Sequence, residues 1–383
     1  MKKLGIVLFL VSVASSTFAQ LQGNLIGQDS TNKTITTAVP FLTITPDSRS
    51  AALGDAGVAT SPDANSAYWN AGKLAFIKEG YGGSASYTPW LGKIINDMSI
   101  SYLSGFYKIN REQTIAASMK YFNMGEINFR DAQNNDLGRF NPREFAFDVT
   151  YSRLLTEHLG IGGSLRYIHS NLTGVYSNGT TDAKPGASVA VDLGLYYTKP
   201  LVTKNSSISL GASITNLGAK ISYSDANNKD FIPTNLRLGA AYKAELDAQN
   251  SLTFVLDFNK LMVPSPYPGS KSEPMMKGVF SSFGDARGGL KEEIHEITTS
   301  LGMEYWYNQV LAGRLGYFYE AKEKGDRKYL TAGLGVRVFE NFALDVAYMV
   351  PTNSRNNALA ETIRFTVMIM FKAKPKEEES VTD

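Results

Sequence analysis

From Tyr81 onward the chain alternates apolar and polar residues with a period of two. Phe145, Phe147, Val149 and Tyr151 alternate with Ala146, Asp148, Thr150 and Ser152. Leu159, Ile161, Leu165 and Tyr167 alternate with Gly160, Gly162, Ser164 and Arg166, and Val189, Val191, Leu193 and Leu195 with Ser188, Ala190, Asp192 and Gly194. The last such segment sets Ile363, Phe365, Val367, Ile369 and Phe371 against Thr362, Arg364 and Thr366. Each segment has one apolar face and one polar or tiny face, which is the pattern of a strand between two unlike surroundings. Strands are predicted near 80–89, 97–109, 113–124, 143–156, 159–172, 186–198, 205–217, 233–246, 250–262, 295–308, 310–322, 328–339, 342–351 and 359–372.

A soluble sandwich would also alternate, so the connections decide. Links at 110–112, 157–158, 199–204, 247–249, 309 and 340–341 are short, whereas those at 90–96, 125–142, 173–185, 218–232, 263–294, 323–327 and 352–358 are generally longer. Short and long links alternate, as they do when one end of a membrane barrel has tight turns and the other extended loops. The strand number is even, about fourteen, and most strands reach the roughly 9–11 residues that a tilted span needs. The pattern predicts an all-β fold, a 14-stranded antiparallel transmembrane β-barrel over residues 79–372. Aromatics near strand ends (Trp90, Tyr107, Tyr196-Tyr197, Tyr305-Trp306-Tyr307 and Tyr317-Phe318-Tyr319) fit interfacial girdles.

The head of the chain does not alternate. Residues 1–19 read as a signal peptide: Lys2 and Lys3, an apolar run from Leu4 to Val13, and the small-x-small site Thr17-Phe18-Ala19. Residues 20–42 form a polar leader, and 43–78, rich in small residues, a compact plug ahead of the barrel. Gly54, Gly57 and Gly72 allow tight bends and close packing against a wall. Residues 373–383 form a charged tail that strand parity puts in the periplasm.

Composition narrows the function. The 383 residues carry a net charge of only +2, which argues against a nucleic-acid partner held through phosphates. There is no cysteine, hence no thiolate chemistry and no lipid-anchoring Cys. His158, His169 and His295 lie far apart without metal-ligand spacing, and no Gly-x-Ser-x-Gly elbow is present. No catalytic or metal set and no cofactor is expected, so an enzyme is disfavoured. Asp47, Arg49, Asp55 and Asp63 are expected to pair with wall charges such as Asp148, Arg166, Asp192, Arg337 and Arg364. The loop from Val263 to Ile294 carries Tyr267, Met275, Met276, Phe280 and Phe283, apolar groups that need either self-packing or a protein partner.

The run Pro46-Asp47-Ser48-Arg49-Ser50, then Leu53-Gly54-Asp55-Ala56-Gly57-Val58-Ala59-Thr60-Ser61-Pro62-Asp63-Ala64-Asn65-Ser66 and Trp69-Asn70, resembles the PorV family of the Bacteroidetes type IX secretion system. The resemblance extends over the mature chain, including Pro142-Arg143-Glu144-Phe145 and the long loop. A shorter part of the pattern is shared with PorQ and with FadL-like outer-membrane barrels. Ala51-Ala52-Leu53 departs from the Gly-Gly or Gly-Met of many members, and Asn70-Ala71 from their Asn-Pro.

The resemblance implies a FadL-like barrel integral to the outer membrane and surrounded by its lipid. It implies a non-enzymatic secretion component that caps the SprA/Sov translocon barrel and binds the C-terminal signal domain of cargo. Cargo would pass to the attachment complex of PorU, PorQ and PorZ. Asp47, Arg49, Asp55, Asp63, Trp69 and Asn70 would then be structural residues of plug and lumen, and the loop residues the candidates for partner contact. The rival function is FadL-like transport of fatty acids or other apolar small molecules. An apolar pocket at the plug would favour transport; exposed apolar loop tips over a sealed lumen would favour a protein partner.

Overall fold

The computed structural model describes residues 33–90, 97–130, 133–134, 136–172, 176–177, 182–201, 205–224, 229–265, 273–339, 341–352 and 362–372. The signal peptide, most of the leader, the charged tail and Tyr267 lie outside these residues.

The strands are β1 (Tyr81–Pro89), β2 (Met98–Lys108), β3 (Gln113–Met124), β4 (Ile127–Arg130), β5 (Asp136–Phe140), β6 (Arg143–Leu154), β7 (Leu159–Asn171), β8 (Tyr176–Ser177) and β9 (Asp182–Ala183). They continue as β10 (Gly186–Leu201), β11 (Ser206–Gly218), β12 (Asn235–Glu245), β13 (Asn250–Leu261), β14 (Ile297–Tyr307), β15 (Leu311–Tyr319), β16 (Lys328–Val338), β17 (Phe342–Pro351) and β18 (Ile363–Phe371). Fourteen of them close into one antiparallel barrel, the architecture the alternation predicts, while β4 with β5 and β8 with β9 form hairpins in two long connections. The seam runs from Tyr81 opposite Phe371 to Tyr87 opposite Phe365. The short connections gather at one end, the turn end, and the long ones at the other, the loop end.

The wall is inverted relative to a water-soluble protein. Leu103, Phe147, Val149, Leu165, Val189 and Leu334 are exposed on the outside, whereas Ser118, Asp148, Arg166, Asp192, Glu304 and Arg314 are buried inside. Such a surface is stable only where the outer solvent is hydrocarbon. No helix among the described residues is long and apolar enough to cross a membrane. The aromatics at strand ends divide between the two faces: Tyr107, Tyr305, Tyr307 and Tyr319 point outward, but Tyr196, Trp306 and Phe318 are buried inside. A run of three aromatics on a strand must alternate, so only the outer members can sit in a girdle.

The lumen is filled by the chain's own head. Val39, Phe41 and Leu42 pack on Ile100, Phe122, Ile168 and Ile232 near the loop end, and Leu74 and Ile77 on Phe106 and Met368 near the turn end. Between them lie two single-turn helices, α1 (Ser48–Ala51) and α2 (Ser66–Trp69), followed by a 3-10 segment over Ala71–Phe76. Wall glycines set the contact distance. A Cβ on Gly162 would fall 2.5 Å from the Ala71 carbonyl carbon, and one on Gly194 would fall 2.3 Å from Asn70 Oδ1. Gly54 has φ +69°, and a Cβ there would meet the Tyr317 carbonyl oxygen at 2.6 Å.

Candidate functional site: a filled lumen under an anchored apolar loop

Asp47 caps α1, accepting from the Ser50 N–H at 2.8 Å, and its other oxygen accepts from Trp69 Nε1 at 2.7 Å. This carboxylate therefore ties α1 to α2. Arg49 donates from Nε and Nη2 to Glu304 at 2.9 and 2.7 Å and from Nη1 to Asp63 at 3.0 Å. Glu304 also accepts from Arg314 Nε at 2.7 Å, and Arg314 Nη1 reaches Asp345 at 2.5 Å. Asp55 accepts from the Tyr329 hydroxyl. The Asn70 amide donates to Leu195 O at 2.7 Å and to Val58 O at 3.2 Å, while its oxygen accepts from the Gly72 N–H at 3.0 Å.

The wall charges differ from those expected. Arg166 binds Asp148 and Asp192 on the neighbouring strands, so that trio braces the wall itself. Arg337 is exposed at the turn end and lies 4.4 Å from the Trp306 ring centroid. Arg364 is buried in the lumen wall with its Nε unpaired. The carboxylates that hold the head are instead Glu304 and Asp257, the latter accepting from the Gly57 and Val58 N–H groups at 2.7 and 2.9 Å. Lys73, fully buried, donates to Gly57 O at 2.7 Å and Thr60 Oγ1 at 2.8 Å. The signal for Glu304 and Arg314 is the inward parity of a lone charge on an otherwise uncharged strand.

At the loop end the connection between β13 and β14 contains α3 (Met275–Ser281) and α4 (Leu290–His295). Val279 and Ser282 are buried beneath α3. Met276, Phe280 and Phe283 recur at helical spacing and are exposed, Phe280 to 68%. Met275 is half-buried. Leu290 and Ile294, which the sequence reading did not single out, extend the exposed apolar set, with Leu290 at 78%.

An ion cluster anchors this loop. Lys260 on β13 meets Glu293 at 3.1 Å and Glu296 at 2.5 Å; Lys324 meets Glu292 at 3.0 Å and Glu296 at 2.8 Å. Lys33 reaches Glu292 at 2.5 Å, binding the described start of the chain to the same cluster. Burial raises the Glu292 carboxyl, but hydrogen bonds from Lys33, Lys324 and the Gly288 N–H outweigh it and bring the pKa down to about 2.

Of the histidines, His158 lies 6.1 Å from the Tyr197 ring, His169 lies 5.1 Å from Phe145, and His295 pairs with Glu323. Among the described residues no group of three His, Cys, Asp or Glu side chains is placed to hold a metal. Below the loops a cavity of about 590 Å³ separates Thr34–Thr45 from the wall, lined by Arg237, Asn259, Glu296, Glu320, Lys324 and Arg327 among others.

A family model described as type IX secretion system protein PorV matches residues 27–268. The chain belongs to the PorV family. The match covers the filled lumen and the wall through β13 and ends inside the β13–β14 loop, short of α3 and α4. No curated protein matches the chain. Among solved structures, this PorV-family barrel is similar to the P. putida toluene transporter TodX, with TM-score 0.52 and 11% identity over 85% of this chain and 98% of that one. It is likewise similar to the TodX deltaS2S3 mutant, a monoaromatic hydrocarbon channel, with TM-score 0.52 and 13% identity over 85% and 98% of the two chains. A Pseudomonas aeruginosa FadL homologue aligns at TM-score 0.48 and 12% identity over 86% and 99%. The likeness to the two TodX structures gives the PorV-family chain the same closed barrel fold.

Proposed function

We propose that this chain is a non-enzymatic outer-membrane component of type IX secretion. It docks through its loop end on the translocon barrel and on the C-terminal signal domain of cargo, and passes cargo to the surface attachment complex. The observation that carries the reading is the apolar set Met276, Phe280, Phe283, Leu290 and Ile294, presented to water on a loop fastened by Lys260 and Lys324. Exposed apolar groups on a pre-anchored loop lower the ordering cost of binding a protein. Glu304, Asp257 and the wall glycines hold the head in the lumen, which favours a docking surface over a conduit.

Transport of an apolar small molecule has less support, because charged side chains line the loop-end cavity. A mild-detergent pull-down of the tagged protein from native outer membranes separates the two. Recovery of a very large barrel, or of secreted proteins sharing a C-terminal domain, supports secretion. A solitary barrel carrying bound fatty acid turns the reading to transport.

A further inference from the structure

Arg237 points into the lumen from β12, only 4% exposed. Its guanidinium lies 5.1 Å from the Tyr68 ring centroid and 5.0 Å from that of Trp69, so two aromatic faces fix it in place. Nε and Nη1 are buried and meet no hydrogen-bond acceptor. Arg49 and Arg314 are matched by Glu304, and Arg166 by Asp148 and Asp192, while Arg364 also keeps its Nε unpaired but does not line the cavity. Arg237 meets the Tyr68 hydroxyl and feels the Asp257 and Asp192 carboxylates at longer range, but it forms no direct ion pair among the described residues and faces the loop-end cavity of about 590 Å³.

We propose that this cavity binds a small oxyanion, a carboxylate or phosphate group, on Arg237. A buried cation with unpaired N–H groups on two nitrogens calls for negative charge as well as acceptors, and water supplies only acceptors. A planar or tetrahedral oxyanion meets both needs through charge-assisted bonds. The row beside Arg237 is polar: Asn259 is its direct cross-strand partner and Thr298 is the next across, and both line the cavity. On the far side Arg327 is held by Glu320 and Lys324 by Glu292 and Glu296, so those cations are neutralised and Arg237 is left as the primary anchor. Asp55 lines the same cavity with Oδ1 unpaired, so the anion that fits also brings a hydroxyl or ammonium donor. The inference does not depend on the secretion role and would survive its failure.

The test is calorimetric titration of the full-length protein in detergent with inorganic phosphate and with glycolate, ionic strength being held constant with sodium chloride. Saturable binding of either anion is expected, and comparing the two distinguishes a phosphate from a carboxylate ligand. Arg237→Gln should weaken binding by about tenfold or more, the loss of a charge-assisted contact. Asn259→Asp places a carboxylate opposite Arg237 and should weaken binding in the same way by internal competition. If Arg237→Gln does not assemble, Asn259→Asp decides alone. No saturable binding of either anion to the parent protein, or undiminished binding in the assembled variants, overturns the proposal.

Discussion

Arg49 and Glu304 meet through two parallel hydrogen bonds across 255 residues of sequence, one from Nε at 2.9 Å and one from Nη2 at 2.7 Å. The pair fastens the head of the chain to β14 in the turn-end half of the lumen. Glu304→Ala would leave Arg49 and Arg314 as partly uncompensated buried cations, a loss of about 3–5 kcal/mol for a broken buried pair. The expected result is an assembled barrel whose head is loosened, seen as raised ion conductance in planar bilayers. An unchanged conductance together with unchanged thermal stability would remove this pair from the account of the filled lumen.

Phe280→Ser with Phe283→Ser takes two large apolar groups from the exposed loop set. Both are exposed in the isolated protein, so the heat-modifiable mobility of the barrel should stay as it is. Capture of the translocon barrel or of cargo should fall by about tenfold or more, since buried aromatic anchors dominate interfaces. Equal recovery by parent and variant in the pull-down would sink the loop's role.

The loop's anchorage should depend on pH from both sides. The Glu292 carboxyl is lowered from its ordinary 4.5 to about 2, so the stability it contributes is present above 4.5 and is lost as pH falls toward 2. Asp285 has the opposite sign: burial, then the nearby Glu296 and Glu293, raise it from 3.8 to about 6. Its contribution is full below 3.8 and is lost as pH rises through 6. Deuterium-exchange protection of 273–296 should therefore peak between these limits, and Glu292→Gln should flatten the acid limb. Protection independent of pH would contradict the ion cluster's role.

Gly54 adopts φ +69° where the head lies against the Tyr317 backbone. Gly54→Ala adds a strained backbone to a clash with main chain that cannot swing away, and should cost at least about 1 kcal/mol. Thermal unfolding in detergent reads this directly. A neutral substitution would show that the close approach is not a constraint.

Much of this architecture was legible in the chain. The period-two pattern survived because the wall separates hydrocarbon from a polar lumen, so Phe147 and Asp148 could not exchange faces. The rhythm of links placed the loop end. The partners of Arg49 were less legible, since pairing within a barrel depends on the height and angle of strands far apart in sequence. Asp148 and Arg166 carry the expected charges, but they are directly opposite on adjacent strands and satisfy each other first. The hairpins in 125–142 and 173–185 and the short helices beyond Ser265 lie in segments without sustained periodicity, where turn chemistry gives only weak signals. Leu290 and Ile294 were overlooked because a lone apolar pair four residues apart usually marks an inward face.

The filled lumen has a consequence for assembly. Ser48 donates its N–H to Thr366 Oγ1 on β18 at 2.9 Å, and the head otherwise leans on strands synthesised much later. The contact with Thr366 cannot form before the final strand arrives, yet a closed cylinder leaves little room to thread a segment with Lys73 and Arg49 inside it. The head must therefore be seated by the time the β1–β18 seam zips, with the earliest-made part of the chain serving as the mandrel around which the latest-made part closes.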